Sequence, residues 1–211
     1  MKAVKFFLAA LALATVSMFV SPSVNAQENG NRDENGKVVR GPYLTNKFGD
    51  NWFVGVGGGI NIFLNEGFDI AISPSIDANF GKWFTPSVGM RAGYQGFSTQ
   101  VMAGDDARKF GYMYFHGDFL WNISNAISGY KETRFWNFVP YVHAGFFRSD
   151  GIDESTDFSD NQFAMGAGLI HNLRLVERLD LVIDMRALVL SGSVHGGSGV
   201  SFLPSVTAGL A

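Results

Sequence analysis

The chain has 211 residues with 26 glycines, 20 phenylalanines and no cysteine, and its 16 basic side chains face 19 acidic ones. The missing cysteine excludes disulfides and a lipid-modified amino terminus, and no basic stripe exists to hold a nucleic acid. Lys2 and Lys5 precede an apolar run from Phe6 to Val20, and Val24 and Ala26 frame a small-residue cleavage site. Residues 1–26 therefore read as a secretory signal peptide, the run being short for a permanent anchor. Without it the chain carries 14 basic against 19 acidic groups, a formal charge of −5, and is long enough for one domain.

Residues 27–50 are a polar leader, rich in Asn and Gly, with little structure of their own expected. The stretch NWFVGVGGGINIF, residues 51–63, then clusters Gly55, Gly57, Gly58 and Gly59. A phosphate-cradling loop would need a Lys-Ser/Thr pair or a spaced glycine motif opening a helix, and neither is present. Read in steps of two, Trp52, Val54, Val56, Ile60 and Ile62 share one face, opposite Phe53 and the odd-numbered glycines. That is strand alternation.

Seven further segments repeat the pattern. Ile72, Ile76 and Phe80 oppose Ser73, Asp77 and Gly81; Met90 and Tyr94 oppose Arg91 and Gln95; Phe115, Phe119 and Trp121 oppose His116 and Asp118. Next, Phe138, Val142 and Phe146 oppose Tyr141, His143 and Phe147, and Phe163, Met165 and Leu169 oppose Ala164, Gly166 and Gly168. Finally, Leu181, Ile183 and Met185 oppose Asp180, Asp184 and Arg186, and Phe202, Val206 and Leu210 oppose Ser201, Ser205 and Gly209. Eight segments of about ten to twelve residues match tilted strands that cross a bilayer.

The expected connections alternate between tight turns, at 82–86 and 176–178, and longer polar loops, at 97–110, 148–161 and 191–199. Short turns on one rim and long loops on the other are the pattern of an outer-membrane barrel. The stretch from Ser124 to Asn137 breaks it, being long for a short-side turn. Trp52, Trp83, Trp121 and Trp136 all fall on the short-turn rim, as half of an aromatic girdle. Phe63, Phe68, Tyr112, Phe146, Phe163 and Phe202 are assigned to the other half. A soluble barrel would put its apolar face inside, whereas here the face carrying charge is also the one with the small residues, as a narrow lumen requires. The fold class expected is all-β, an eight-stranded antiparallel up-and-down transmembrane β-barrel over residues 51–211, in the outer membrane of a Gram-negative bacterium.

Four stretches, GPYLTNKFGDNWFVGVGGGINI, YFHGDFLWNISNAISGYKETRFWNFVPYVHAGF, VERLDLVIDMRALVL and FLPSVTAGLA, resemble the membrane barrel of OmpA-like outer-membrane proteins. The resemblance covers nearly all of the chain after the signal. It implies an envelope-supporting barrel in contact with outer-membrane lipids, and peptidoglycan as a partner only through a C-terminal domain absent from these residues. It departs from the pattern at Thr207–Ala211, where a closing aromatic residue is expected.

Charges inside the span must be paired. A turn centred near Phe84 sets Asp77 across from Arg91, a loop centred between Gly104 and Asp105 sets Asp118 across from Arg91, and a turn at Glu177 sets Arg174 across from Asp180. The expected network is an Asp77–Arg91–Asp118 ladder, with Asp184 and Arg186 approaching from the far wall. It reads as a plug in preference to a gate for small solutes, because eight strands leave no wide channel. His116 and His143 meet across two strands, but two histidines without a third ligand make no metal site. No cofactor is expected, and no catalytic residue. The enzymatic rival, a lipid A-modifying hydrolase built on His171, would need a serine and a carboxylate beside the ring, and Ser191 and Ser193 lie at the opposite rim. Acidic loops around Gly104–Asp106 and Asp150–Asp160 keep open a surface adhesin or receptor role; they lack the ligand spacing of a calcium loop.

Overall fold

The computed structural model describes residues 48–64, 72–103, 106–131, 133–151, 159–176, 178–191 and 199–211, with the backbone alone at 101–103, 106–108 and 191. The signal peptide, most of the leader, Phe68, Glu177 and Ser193 lie outside the described residues. The strands are β1 (Trp52–Ile62), β2 (Ile72–Trp83), β3 (Val88–Ala103), β4 (Asp106–Trp121), β5 (Trp136–Gly151), β6 (Ser159–Val176), β7 (Leu179–Ser191) and β8 (Val200–Leu210). A short helix, α1 (Ile123–Ser128), follows β4. Each strand pairs antiparallel with the next, and β1 closes on β8 from Val56↔Leu210 to Asn61↔Ser205. Closure pairs every strand on both sides, which is what a sheet must do where no water can reach its backbone.

The faces are inverted relative to a water-soluble barrel. Val54 is 72% exposed and Phe163 66%, and Ile76, Phe80, Phe115 and Met165 also look outwards, while Asp77, Arg91, Asp118, Asp184 and Arg186 are buried inside. An exposed apolar band around a charged interior fits hydrocarbon and is a liability in water.

Three details differ from the sequence expectation. Strand β2 runs to Trp83, pairing Trp83↔Gly89, so its turn centres on Pro86 and not near Phe84. The turn is held by Thr85, whose Oγ1 accepts from the Val88 amide at 2.9 Å. The strands run into the expected loops at 97–110 and 148–161: β3 and β4 pair up to Ala103↔Asp106, and β5 and β6 up to Asp150↔Ser159. Phe63 and Tyr112, assigned to the girdle, are buried inside.

The lumen is also not lined by small groups alone. On the long-loop side Phe63, Phe110, Tyr112, Tyr114, Phe147 and three leucines pack as one cluster. On the short-turn side Leu120, Val139, Tyr141 and Ile170 form a second, with Phe53, Trp83 and Val182 against it. Glycines make room for these rings, because a ring on one strand can fold over a residue without a side chain on the next. Tyr141 pairs with Gly168, and a β-carbon on Gly168 would run into the Tyr141 ring. His116 pairs with Gly93, where a β-carbon would come within 2.8 Å of the imidazole. Gly168→Val is therefore expected to cost about 1–3 kcal/mol by overpacking. Gly117→Val, on the outward face with nothing within 4 Å of a β-carbon, should be neutral or stabilising. Urea unfolding of both variants in lipid vesicles measures the contrast.

Candidate functional site

Between the two apolar clusters lies a layer of charge carried by four inward-facing strands. Arg91 comes from β3, Asp118 and His116 from β4, and Asp184 and Arg186 from β7, with Asp77 from β2. Alternation puts these residues inside, and the register Arg91↔Asp118 sets the first pair face to face.

Arg91 spends its guanidinium on two carboxylates from opposite walls. Its Nε donates to Asp118 Oδ2 at 2.5 Å and its Nη2 to Asp184 Oδ2 at 2.8 Å. Arg186 Nε donates to the Tyr141 hydroxyl at 2.9 Å, and that hydroxyl donates to Asp184 Oδ1 at 2.5 Å. Arg186 Nη1 donates to His116 Nε2 at 2.8 Å. A guanidinium only donates, so Nε2 is the accepting nitrogen and Nδ1 carries the proton that His116 gives to Asp118 Oδ1 at 2.6 Å. The Tyr141 ring lies under both guanidiniums, 4.9 Å from Arg91 and 5.7 Å from Arg186. The result is a fused lattice rather than a set of separate pairs, and charge-assisted bonds of this kind are the strong ones.

Asp77 is the outlying member. Asn79 Nδ2 donates to its Oδ1 at 2.6 Å, while its Oδ2 lies 3.5 Å from Arg186 Nη2 and 4.0 Å from His116 Nε2. The expected Asp77–Arg91 rung is corrected here: Asp77 pairs with Gln95 and Arg91 with Gly81. With the turn centre moved from Phe84 to Pro86, the Arg91 register slides four residues along β2. Arg174 and Asp180 stand opposite each other in register, away from the central lattice. They line a cavity of about 260 Å³ that runs from Arg174, Arg178 and Asp180 up to Asp77, Arg91 and Asp184.

Sequence reasoning missed Tyr141, which binds both arginines, and weighed His116 only as a metal ligand. The signal was present: both side chains fall on the inward parity, and each faces a glycine across the strand pair. His143 takes a bond between its Nδ1 and the Tyr114 hydroxyl at 2.8 Å, its ring centre 6.4 Å from that of His116. Among the described residues no three His, Cys, Asp or Glu side chains converge as a metal site. His171 stacks on Trp136 at 5.7 Å, accepts from the indole N–H at 3.1 Å and meets Phe138 edge-on. Its cross-strand partners are Phe138 and Ile183, a largely aromatic setting.

The four tryptophans do share the short-turn rim, where Trp52 and Trp136 are exposed, with Trp121 on the same outward parity. Trp83 is a correction. It keeps the inward parity of Gly81, packs its ring 6.1 Å from that of Phe53 and lines the short-turn cavity.

The lattice holds three carboxylates against two guanidiniums, which predicts unequal costs for neutralising them. Asp118→Asn breaks bonds to Arg91 and His116 and should cost about 3–5 kcal/mol. Asp77→Asn leaves both arginines paired and should stay within about 1 kcal/mol of the parent. Unfolding midpoints in vesicles test the difference; equal losses would contradict the outlying position of Asp77.

No family model matches the chain. Outer membrane protein 41 of Porphyromonas gingivalis is 28% identical over 156 residues, covering 69% of this chain and 39% of that protein. Outer membrane protein 40 of the same organism is 27% identical over 190 residues, covering 84% and 49%. The chain thus spans less than half the length of these curated relatives. Among solved structures, Neisserial surface protein A superposes with a TM-score of 0.59 at 10% identity, covering 75% of this chain and 94% of that one, a likeness of fold. Closed topology, apolar exterior, charged interior and relatives agree: the chain is an eight-stranded β-barrel protein of the Gram-negative outer membrane.

Proposed function

We propose that this barrel is a non-enzymatic structural component of the outer membrane, its lumen closed by the arginine–aspartate lattice. The observation that carries the reading is the two-sided bonding of Arg91, which ties β4 to β7 across the middle of the barrel. The cavity on the short-turn side ends against that layer, and beyond it the rings of Tyr112, Tyr114 and Phe147 are at most 2% exposed. A solute would have to pull both bonded guanidiniums off their carboxylates and then displace an aromatic cluster. Eight strands leave little room for either movement.

The partner in this reading is the lipid that surrounds the apolar band. Attachment to peptidoglycan is what the family resemblance implies for a separate domain, and the lattice and the lipid-facing wall do not depend on it. A hydrolase built on His171 is disfavoured by its aromatic surroundings.

Purified protein in planar bilayers is expected to give no steady conductance. Wild-type conductance that disappears in Arg91→Ala would overturn the plug and make the lattice a gate.

A further inference from the structure

The connection between β4 and β5 is longer than a short-side turn needs, and the plug gives it no task. Its helix α1 is built the wrong way round for water. The polar residues face the barrel: Asn122 caps the helix by accepting from the Asn125 amide at 3.0 Å, and Asn125 Nδ2 donates to Pro86 O at 2.7 Å. Ser124 Oγ accepts from the Phe138 amide at 2.9 Å, and Asn122 Nδ2 donates to Asn137 Oδ1 at 3.3 Å. Ile127, by contrast, faces away and is 79% exposed.

That direction is not arbitrary. Phe119 and Trp121 look outwards from β4, and Ile123, half-buried, opens the helix two residues later. Ile127, one helical turn after Ile123, lies on the same helix face. An exposed apolar side chain, Ile127, thereby stands one helical turn beyond the start of α1, next to the end of β4. Alongside it, Trp136 opens the outward face of β5, 51% exposed, and Tyr130 is exposed in between. Lys131 and Arg134 flank Glu132 in the same connection, and Arg134 is held by a bond from Nη2 to Gly129 O at 2.6 Å.

We infer that this connection is an interfacial foot, seated in the headgroup region of the phospholipid leaflet on the short-turn side. Ile127 and Tyr130 enter the acyl boundary, and Lys131 and Arg134 face the phosphates. Two features select lipid as the occupant: the patch is continuous with the hydrocarbon-facing wall, and cationic groups stand where an anionic phosphate plane attracts them. The inference rests on the barrel's being in the membrane with its short turns on the periplasmic side.

The lack of native cysteine permits a direct test on the full chain in phosphatidylethanolamine–phosphatidylglycerol vesicles. Ile127→Cys, Arg178→Cys and Phe115→Cys each receive an environment-sensitive fluorophore. Phe115 reports barrel insertion by itself, through quenching by nitroxide lipids. The label at Ile127 is expected to be quenched by lipids with a nitroxide near the glycerol, and by aqueous iodide about threefold less than the label at Arg178, as for a shallowly buried helix. Equal iodide quenching at Ile127 and Arg178, with Phe115 still lipid-quenched, overturns the foot and leaves the barrel standing. Shielding of Ile127 that vanishes on diluting the protein in lipid assigns the face to a second copy and overturns it too. Should Ile127→Cys block insertion, Tyr130→Cys carries the same readout.

Discussion

Arg91 and Arg186 sit among three carboxylates at the middle of a barrel whose outer wall is made of Val, Ile and Phe. A charge in that position meets solvent only through the short-turn cavity, so it persists only if its hydrogen bonds are met from the opposite walls. Meeting them fixes much else. Strands β3, β4 and β7 must present the right residues at one height, which sets their registers. Tyr141 must reach both guanidiniums, which requires a neighbour small enough to let its ring lie flat. The lattice thus constrains the barrel from inside as lipid constrains it from outside.

The glycine content follows from the same demand. A barrel of eight strands has a narrow interior, yet this one holds tyrosines, histidines and phenylalanines in three stacked layers. Large and small residues alternate across the strand pairs, as His116 faces Gly93 and Tyr141 faces Gly168. Glycine ordinarily weakens a strand. Here that loss is offset by the rings that lie across it and by the bonds those rings make.

Much of this was legible in the sequence because a strand alternates with a period of two and a membrane demands that one face be greasy. The eight segments, their order and the inward set of charges all follow from that rule. The pairing of Arg91 with Asp118 was also legible, because that hairpin is symmetrical about residues 104 and 105. The β2–β3 turn was not, and for a specific reason. Lys82 and Trp83 look like turn and interface residues, but Lys82 is 8% exposed and its ammonium donates to the backbone carbonyls of Phe48 and Asp50. A buried lysine bonded to a neighbouring segment keeps the strand going past Gly81, and the β2–β3 pairings shift by four residues. Tyr141 was missed because a tyrosine carries no formal charge, and a search for ion pairs passes over the hydroxyl that joins them.

The most direct test of the central claim is the exchange of arginine Nε–H protons with water in isotope-labelled protein by nuclear magnetic resonance. If the lattice is dry and both Nε–H groups are bonded as described, the Arg91 and Arg186 signals exchange orders of magnitude more slowly than that of Arg178 on the exposed turn. Exchange at all three sites at one common rate would mean that water fills the lumen and that no dry lattice closes it.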